Sequence, residues 1–178
     1  FSSRRRHTRY ISVTGVQTCA LPICSGGNSM RNIILVDIDH TLTDAFHRDQ
    51  MIGIAPWDEY HAKGIEDDPA HDFVEFMMHS RHNDRYDWIG LTSRPEKFRG
   101  LTMQWLVHHG IGLDQLWMRP NTDFRPAPEV KVSLCKEKLG EDWKSKVLML
   151  IDDNEKVVEA FRGEGITCLQ IFNRRGEK

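Results

Sequence analysis

Five short apolar runs, separated by stretches long enough for helices, constrain this chain more than any other feature. They are "NIILVD" (32 to 37), "WIGLT" (88 to 92), "QLWMR" (115 to 119), "VLMLID" (147 to 152) and "TCLQIF" (167 to 172). Each reads as a nearly continuous apolar run, which is the pattern of a strand covered on both faces. Helical periodicity fills the gaps at 69–81, 95–109, 127–139 and 154–164. Pro95 is expected at the first helical position of the second of these, and Gly110 and Gly140 just past the ends of the second and third. Parallel strands need crossover connections, so the pattern predicts a doubly wound, Rossmann-like α/β domain: a parallel sheet of about five strands with helices on both faces.

The first 29 residues do not share this pattern. They contain four arginines and no acid, lack a periodic apolar face, and end in a Gly/Ser-rich joint. A targeting peptide is one reading, but its apolar part is interrupted by Thr, Gly and Gln. The other reading is that the segment resembles translated sequencing-adapter read-through, which would make Met30 the true start. The expected division is therefore a non-native segment over 1–29 and one domain over 30–178.

Without that segment the charge balance changes. It holds 4 of the 24 basic residues and none of the 26 acidic ones, so residues 30–178 carry 20 against 26, a formal net of −6. An acidic domain is not expected to track a nucleic-acid backbone over a long footprint. Cys135 and Cys168 show no metal or redox spacing, which suits a reducing cytoplasm. No stretch approaches a membrane span.

In a doubly wound sheet the ligand site lies beyond the carboxyl ends of the strands. Asp37 and Asp39 follow the first apolar run, Thr92, Ser93 and Arg94 follow the second, and Asp152 and Asp153 end the fourth. Turn and cap chemistry explains any one of these groups. For the last, an Asp pair before "NEK" also fits a helix cap. Carboxylates converging from two strand ends need neutralising, and a hard divalent cation with oxygen ligands does this. Magnesium fits best, because it keeps positions open for water and phosphate oxygens.

"DIDHT", "LTSRP", "APEVK" and "LIDD" resemble, in order, the four motifs of the haloacid dehalogenase superfamily of phosphohydrolases. The resemblance implies that Asp37 is a nucleophile forming an aspartyl-phosphate, with Asp39 as general acid and base. Thr92 and Lys131 would support the phosphoryl group. Asp37, Asp152 and the backbone carbonyl of Asp39 would hold magnesium, with Asp153 beside them. His40 stands where this superfamily commonly has Gly; a His tolerates that turn better than a β-branched residue would.

The stretch from Thr43 to about Asp87, where cap elements belong, is too short for a large cap, and Phe73, Phe76 and Met77 are expected to pack on the sheet. Within the superfamily, "APWDEY", "TSRPEKFRGLTMQWLVHHGI" and "MRPNTDFRPAPEVK" resemble the phosphatase half of polynucleotide kinase-phosphatases. That narrower resemblance implies removal of 3′-phosphates from nucleic-acid ends, with Ser93, Arg94 and Arg48 at the substrate. Arg48 fits a solvated loop charge equally well. Trp57, Tyr60 and His61 could stack on a base or sugar, although a Trp near a helix start is more often packing. No G-x-x-x-x-G-K-[ST] loop occurs, so a kinase would have to be a separate or fused partner. A nucleotide monophosphatase and a non-catalytic phosphate- or magnesium-binding module are the alternatives.

Overall fold

The computed structural model describes residues 32–81 and 85–172. The expected non-native segment and the start at Met30 lie outside them. In chain order the elements are β1 (Asn32–Val36), β2 (Thr43–Asp44), α1 (Phe46–Asp49), α2 (Trp57–Ala62), β3 (Asp68–Pro69), α3 (His71–Ser80) and β4 (Tyr86–Pro95). There follow α4 (Arg99–His108), β5 (Gln115–Arg119), α5 (Ala127–Leu139), α6 (Trp143–Lys146), β6 (Val147–Asp152), α7 (Glu155–Gly163) and β7 (Thr167–Gln170).

The main sheet has the order β5-β4-β1-β6-β7, and every neighbouring pair in it is parallel. β1 is central, with Leu35 opposite Ile89 of β4 on one side and Leu150 of β6 on the other. The chain winds outward from β1 to β5, then returns to place β6 against the other edge of β1. The strand order reverses between β1 and β6, which opens a crevice at their carboxyl ends. Asp37 and Asp152 flank it.

Each sheet face has its own core. Leu35, Leu91, Trp117 and Leu150 pack with Val130 and Leu134 of α5 and with Val157 and Phe161 of α7. On the opposite face Ile34, Val36, Trp88 and Met118 pack with Met77 of α3 and with Trp105 and Leu106 of α4. Burying each of these large side chains contributes about 1.5–3 kcal/mol before entropy is counted, so most of the hydrophobic stabilisation lies on the two faces of the sheet. The cap region is minimal, as expected. It consists of the antiparallel pair β2 and β3, the short helices α1 and α2, a 3-10 turn over Lys63–Glu66, and α3.

Two expectations differ from the structure. Pro95 does not open a helix: β4 runs through it in an extended conformation (φ −61°, ψ 145°), a 3-10 turn follows over Glu96–Phe98, and α4 begins at Arg99. Proline fixes φ near a value that helices and extended chain share, so the ring alone does not choose between them. Phe76 is 58% exposed, whereas Met77 is fully buried and Phe73 packs on the core. Phe76 lines a groove with Leu148 and Leu169, beside β6 and β7. No helix among the described residues is long and apolar enough to cross a membrane.

Candidate active site

The end of β1 turns sharply after Asp37. The Asp37 amide donates to the Ile151 carbonyl (3.0 Å), and Leu42 and Thr43 amides return to the Ile38 carbonyl at 2.9 and 3.0 Å. This closes a tight loop in which His40 takes φ +58°, the one positive-φ non-glycine residue among those described. The loop therefore requires the left-handed conformation, and the His40 ring is held there by Asp49 at 2.9 Å.

One group of charges gathers across the crevice. Lys131, buried on α5 one turn after Ala127, places Nζ 2.7 Å from both Asp37 Oδ1 and Asp152 Oδ2. Asp37, Asp152 and Asp153 each offer a carboxylate oxygen within 4.8 Å of the others. The helix cap falls to Asn154, whose side chain accepts from the Lys156 and Val157 amides, while Asp152 Oδ1 accepts the Asn154 amide (2.9 Å) and Asp153 takes no part in the cap. Burial pushes the Asp37 carboxyl well above its usual range; Lys131 opposes this, and Asp152, Asp153 and Asp39 add to it. Burial, then Asp152, pushes Asp153 up to about 6. Burial alone would lower Lys131, but Asp152 and Asp37 outweigh it and hold the ammonium above its ordinary pKa. Three carboxylates against one ammonium leave an excess of negative charge, and clustered oxygen donors of this kind suit a hard divalent cation. Thr92, fully buried at the end of β4, accepts the Arg94 amide at Oγ1 (3.2 Å) and keeps a hydroxyl hydrogen to donate.

The Asp39 carboxylate turns away from this cluster, toward two arginines. Arg94 bonds it through Nε (3.1 Å to each oxygen) and Nη2 (2.6 Å), and Arg48 bonds it through Nη2. Behind them, buried Asp67 takes Arg48 Nε and Nη2 at 2.7 and 2.5 Å and Arg94 Nη2 at 3.3 Å. Arg48 also lies over the Tyr60 ring, 4.3 Å from its centroid. Gly64 lets the chain pass against the Arg94 guanidinium, where a Cβ would meet its atoms at 3.0–3.2 Å. Burial would raise Asp39, but Arg94 and Arg48 together hold it far below the carboxylate range.

The family of the polynucleotide kinase PNKP phosphatase domain matches residues 31–175. The chain belongs to this family. It is thus a haloacid dehalogenase-type phosphatase domain, an enzyme rather than a binding module. Over 88% of its length the phosphatase is similar to a chain of the Pnkp1/Rnl/Hen1 RNA repair complex, with 23% identity and a TM-score of 0.67. It spans 47% of that chain, about half its length. YfnB from Bacillus subtilis bound to magnesium shares the fold at 10% identity, with 83% of this chain and 89% of that one covered and a TM-score of 0.58. A haloacid dehalogenase-like hydrolase from Streptococcus pneumoniae does so at 15% identity, with 81% and 86% covered and a TM-score of 0.56. No curated protein matches the chain.

The phosphatase thus brings the residues singled out by sequence into two adjoining groups. Asp37, Lys131, Asp152 and Asp153 form the first, and Asp39, Arg48 and Arg94 belong to the second. Arg48 is not a solvated loop charge, being wholly buried on α1. Tyr60 is buried beneath it, whereas Trp57 is 59% exposed and packs only one side of its ring, against Tyr60 and His61. Asp67 is the site residue that sequence reasoning missed. Nothing distinguishes it from Asp68 in "GIEDDPA", yet Asp67 is buried and Asp68 exposed.

Proposed function

We propose that the phosphatase removes 3′-phosphates from nucleic-acid ends, with magnesium, through an aspartyl-phosphate on Asp37. The observation that carries this reading is the Lys131-bridged pair of Asp37 and Asp152, with Asp153 beside it, at the point where strand order reverses. Asp37, Asp152 and Asp153 would hold the metal, with the Asp39 carbonyl completing the set. Bound there, magnesium would offset the excess carboxylate charge and polarise the phosphoryl oxygens.

An Asp37 carboxylate oxygen attacks phosphorus, and the bond from phosphorus to the ester oxygen breaks. Lys131 and the Thr92 hydroxyl stabilise the charge on the transferring group. The departing oxygen takes a proton from Asp39; a water then returns a proton to Asp39 as it attacks phosphorus and frees Asp37 and inorganic phosphate. As drawn by the two arginines, Asp39 is ionised. A phosphate dianion entering beside Arg48 and Arg94 competes with Asp39 for them, and only release from both, together with the added negative charge, lets Asp39 hold a proton.

The test measures phosphate release, with magnesium, from a 3′-phosphorylated oligonucleotide, its 5′-phosphorylated counterpart, and nucleoside 3′- and 5′-monophosphates. Preference for the first supports an end-repair role. Preference for a monophosphate supports a nucleotidase, the reading favoured by the formal net of −6 over residues 30–178, 20 basic against 26 acidic. Asp37→Asn should lower turnover by a factor on the order of 10³ or more while the fold is retained; undiminished turnover would remove Asp37 as nucleophile. The likeness to a longer chain in an RNA repair complex is the reason to look for a kinase, fused or separate, working beside this domain.

A further inference from the structure

A cavity of about 560 Å³ adjoins the strand-end cluster and has features that the phosphoryl chemistry leaves unused. Ser93 and Pro95 line it, directly after Thr92 on β4, and so do Pro126 and Ala127 at the start of α5, one turn before Lys131. Trp57 and Phe124 present rings to it that are 59% and 90% exposed. The Trp57 ring stacks on His61 (centroids 6.0 Å apart, planes at 28°) and meets Tyr60 edge-on, so the Trp57 side of the wall is held in place.

Two polar atoms of lining residues are buried without a hydrogen-bond partner, His61 Nδ1 and Ser93 Oγ. Native interiors rarely leave such groups unmet, and the two residues that carry them line a space large enough for a ligand. Burial lowers the His61 pKa to about 4, so its imidazole is neutral near pH 7 and offers both a donor and an acceptor.

The charges lining the cavity do not cancel. Lys97 pairs with Asp58 (2.5 Å) and Arg125 with Asp123 (2.6 Å). Arg119 bonds only carbonyl oxygens, donating from Nε to Ser93 (2.8 Å) and from Nη1 to Asp123 (3.1 Å) and Arg125 (2.6 Å). Among the cations lining the cavity it is the one without a carboxylate bonded to it. Exposed aromatic rings, unmet polar atoms and one surplus positive charge together describe a site for a planar heterocycle that carries a second anionic group.

We propose that this cavity receives the terminal nucleoside of a phosphorylated strand, with the heterocycle against Trp57 and Phe124 and the preceding phosphodiester on Arg119. The proposal rests on the nucleic-acid-end reading and deepens it, because it makes the phosphodiester, absent from a mononucleotide, a part of recognition.

The test compares kcat/KM for a dinucleotide 3′-phosphate, a nucleoside 3′-monophosphate and p-nitrophenyl phosphate in the full chain with magnesium. Trp57→Ala and Phe124→Ala should lower the ratio of either nucleotide ester to p-nitrophenyl phosphate about tenfold to a hundredfold, the scale of base stacking. Arg119→Met should abolish the advantage of the dinucleotide over the monophosphate, and Arg119→Lys, which keeps the charge, should restore part of it. Ratios unchanged within about twofold, or equal losses on all three esters, would overturn the assignment while leaving the nucleic-acid reading intact. A wild-type enzyme that hydrolyses only p-nitrophenyl phosphate would overturn both.

Discussion

The two charged groups at the strand ends are built on opposite principles. Around Asp37, three carboxylates face one ammonium; around Asp39, two carboxylates face two guanidiniums. The first group is unbalanced and improves when a cation or a positively charged centre is added. The second is already matched in charge, and on the proposed mechanism an incoming phosphate would have to break it. Burial makes both consequential, since an uncompensated charge in a low-dielectric interior costs several kcal/mol. On the proposed mechanism the Asp37 side thus gains by taking up a ligand, whereas the Asp39 side would give up a partner to one.

Breaking each group should expose this difference. The largest effect is expected from Asp67→Ala, which strips a shared acceptor from buried Arg48 and Arg94 and should cost about 3–5 kcal/mol in urea unfolding, with or without magnesium. Lys131→Met should cost a comparable amount in chelator, but added magnesium should restore much of it, because the cation takes over the neutralising role. Equal magnesium rescue of the two variants would refute the contrast.

Asp153→Asn should act with the opposite sign. Asp153 is raised to about 6, chiefly by burial and Asp152, so its ionisation destabilises the metal-free fold progressively as pH rises from its unfolded value near 4 through about 6. At pH 7 without metal the Asn variant should therefore be more stable than wild type by about 2–3 kcal/mol, and at pH 4 the two should melt together. The smallest effect is expected at His40. Glycine there relieves about 1–2 kcal/mol of left-handed strain but loses the mostly buried contact with Asp49, so thermal denaturation of His40→Gly should differ by no more than about 1 kcal/mol.

Much of the fold and half of the site could be read from the chain. Apolar runs with no alternation identify strands buried on both faces, and all five proved to be neighbours in one parallel sheet. Asp37, Asp152 and Lys131 are legible because they sit at fixed points of regular elements, two at strand ends and one a turn into a helix. Asp67 and the destination of Arg48 are not. They come from a segment of two-residue strands and four- to six-residue helices, α1 and α2, with a 3-10 turn between α2 and β3, where no periodicity separates a buried face from an exposed one.

The sequence by itself determined that a doubly wound sheet would carry acids, a threonine and a lysine to one edge, because hydrophobic periodicity and strand-end position are local properties. Tertiary structure alone decided that Asp39 would be held by two buried arginines, that Phe76 would remain exposed, and that Trp57, Phe124 and Arg119 would line one cavity. Those outcomes depend on which segments meet across the crevice, and the pairing of charges 9, 28 and 55 residues from Asp39 leaves no trace in any local pattern.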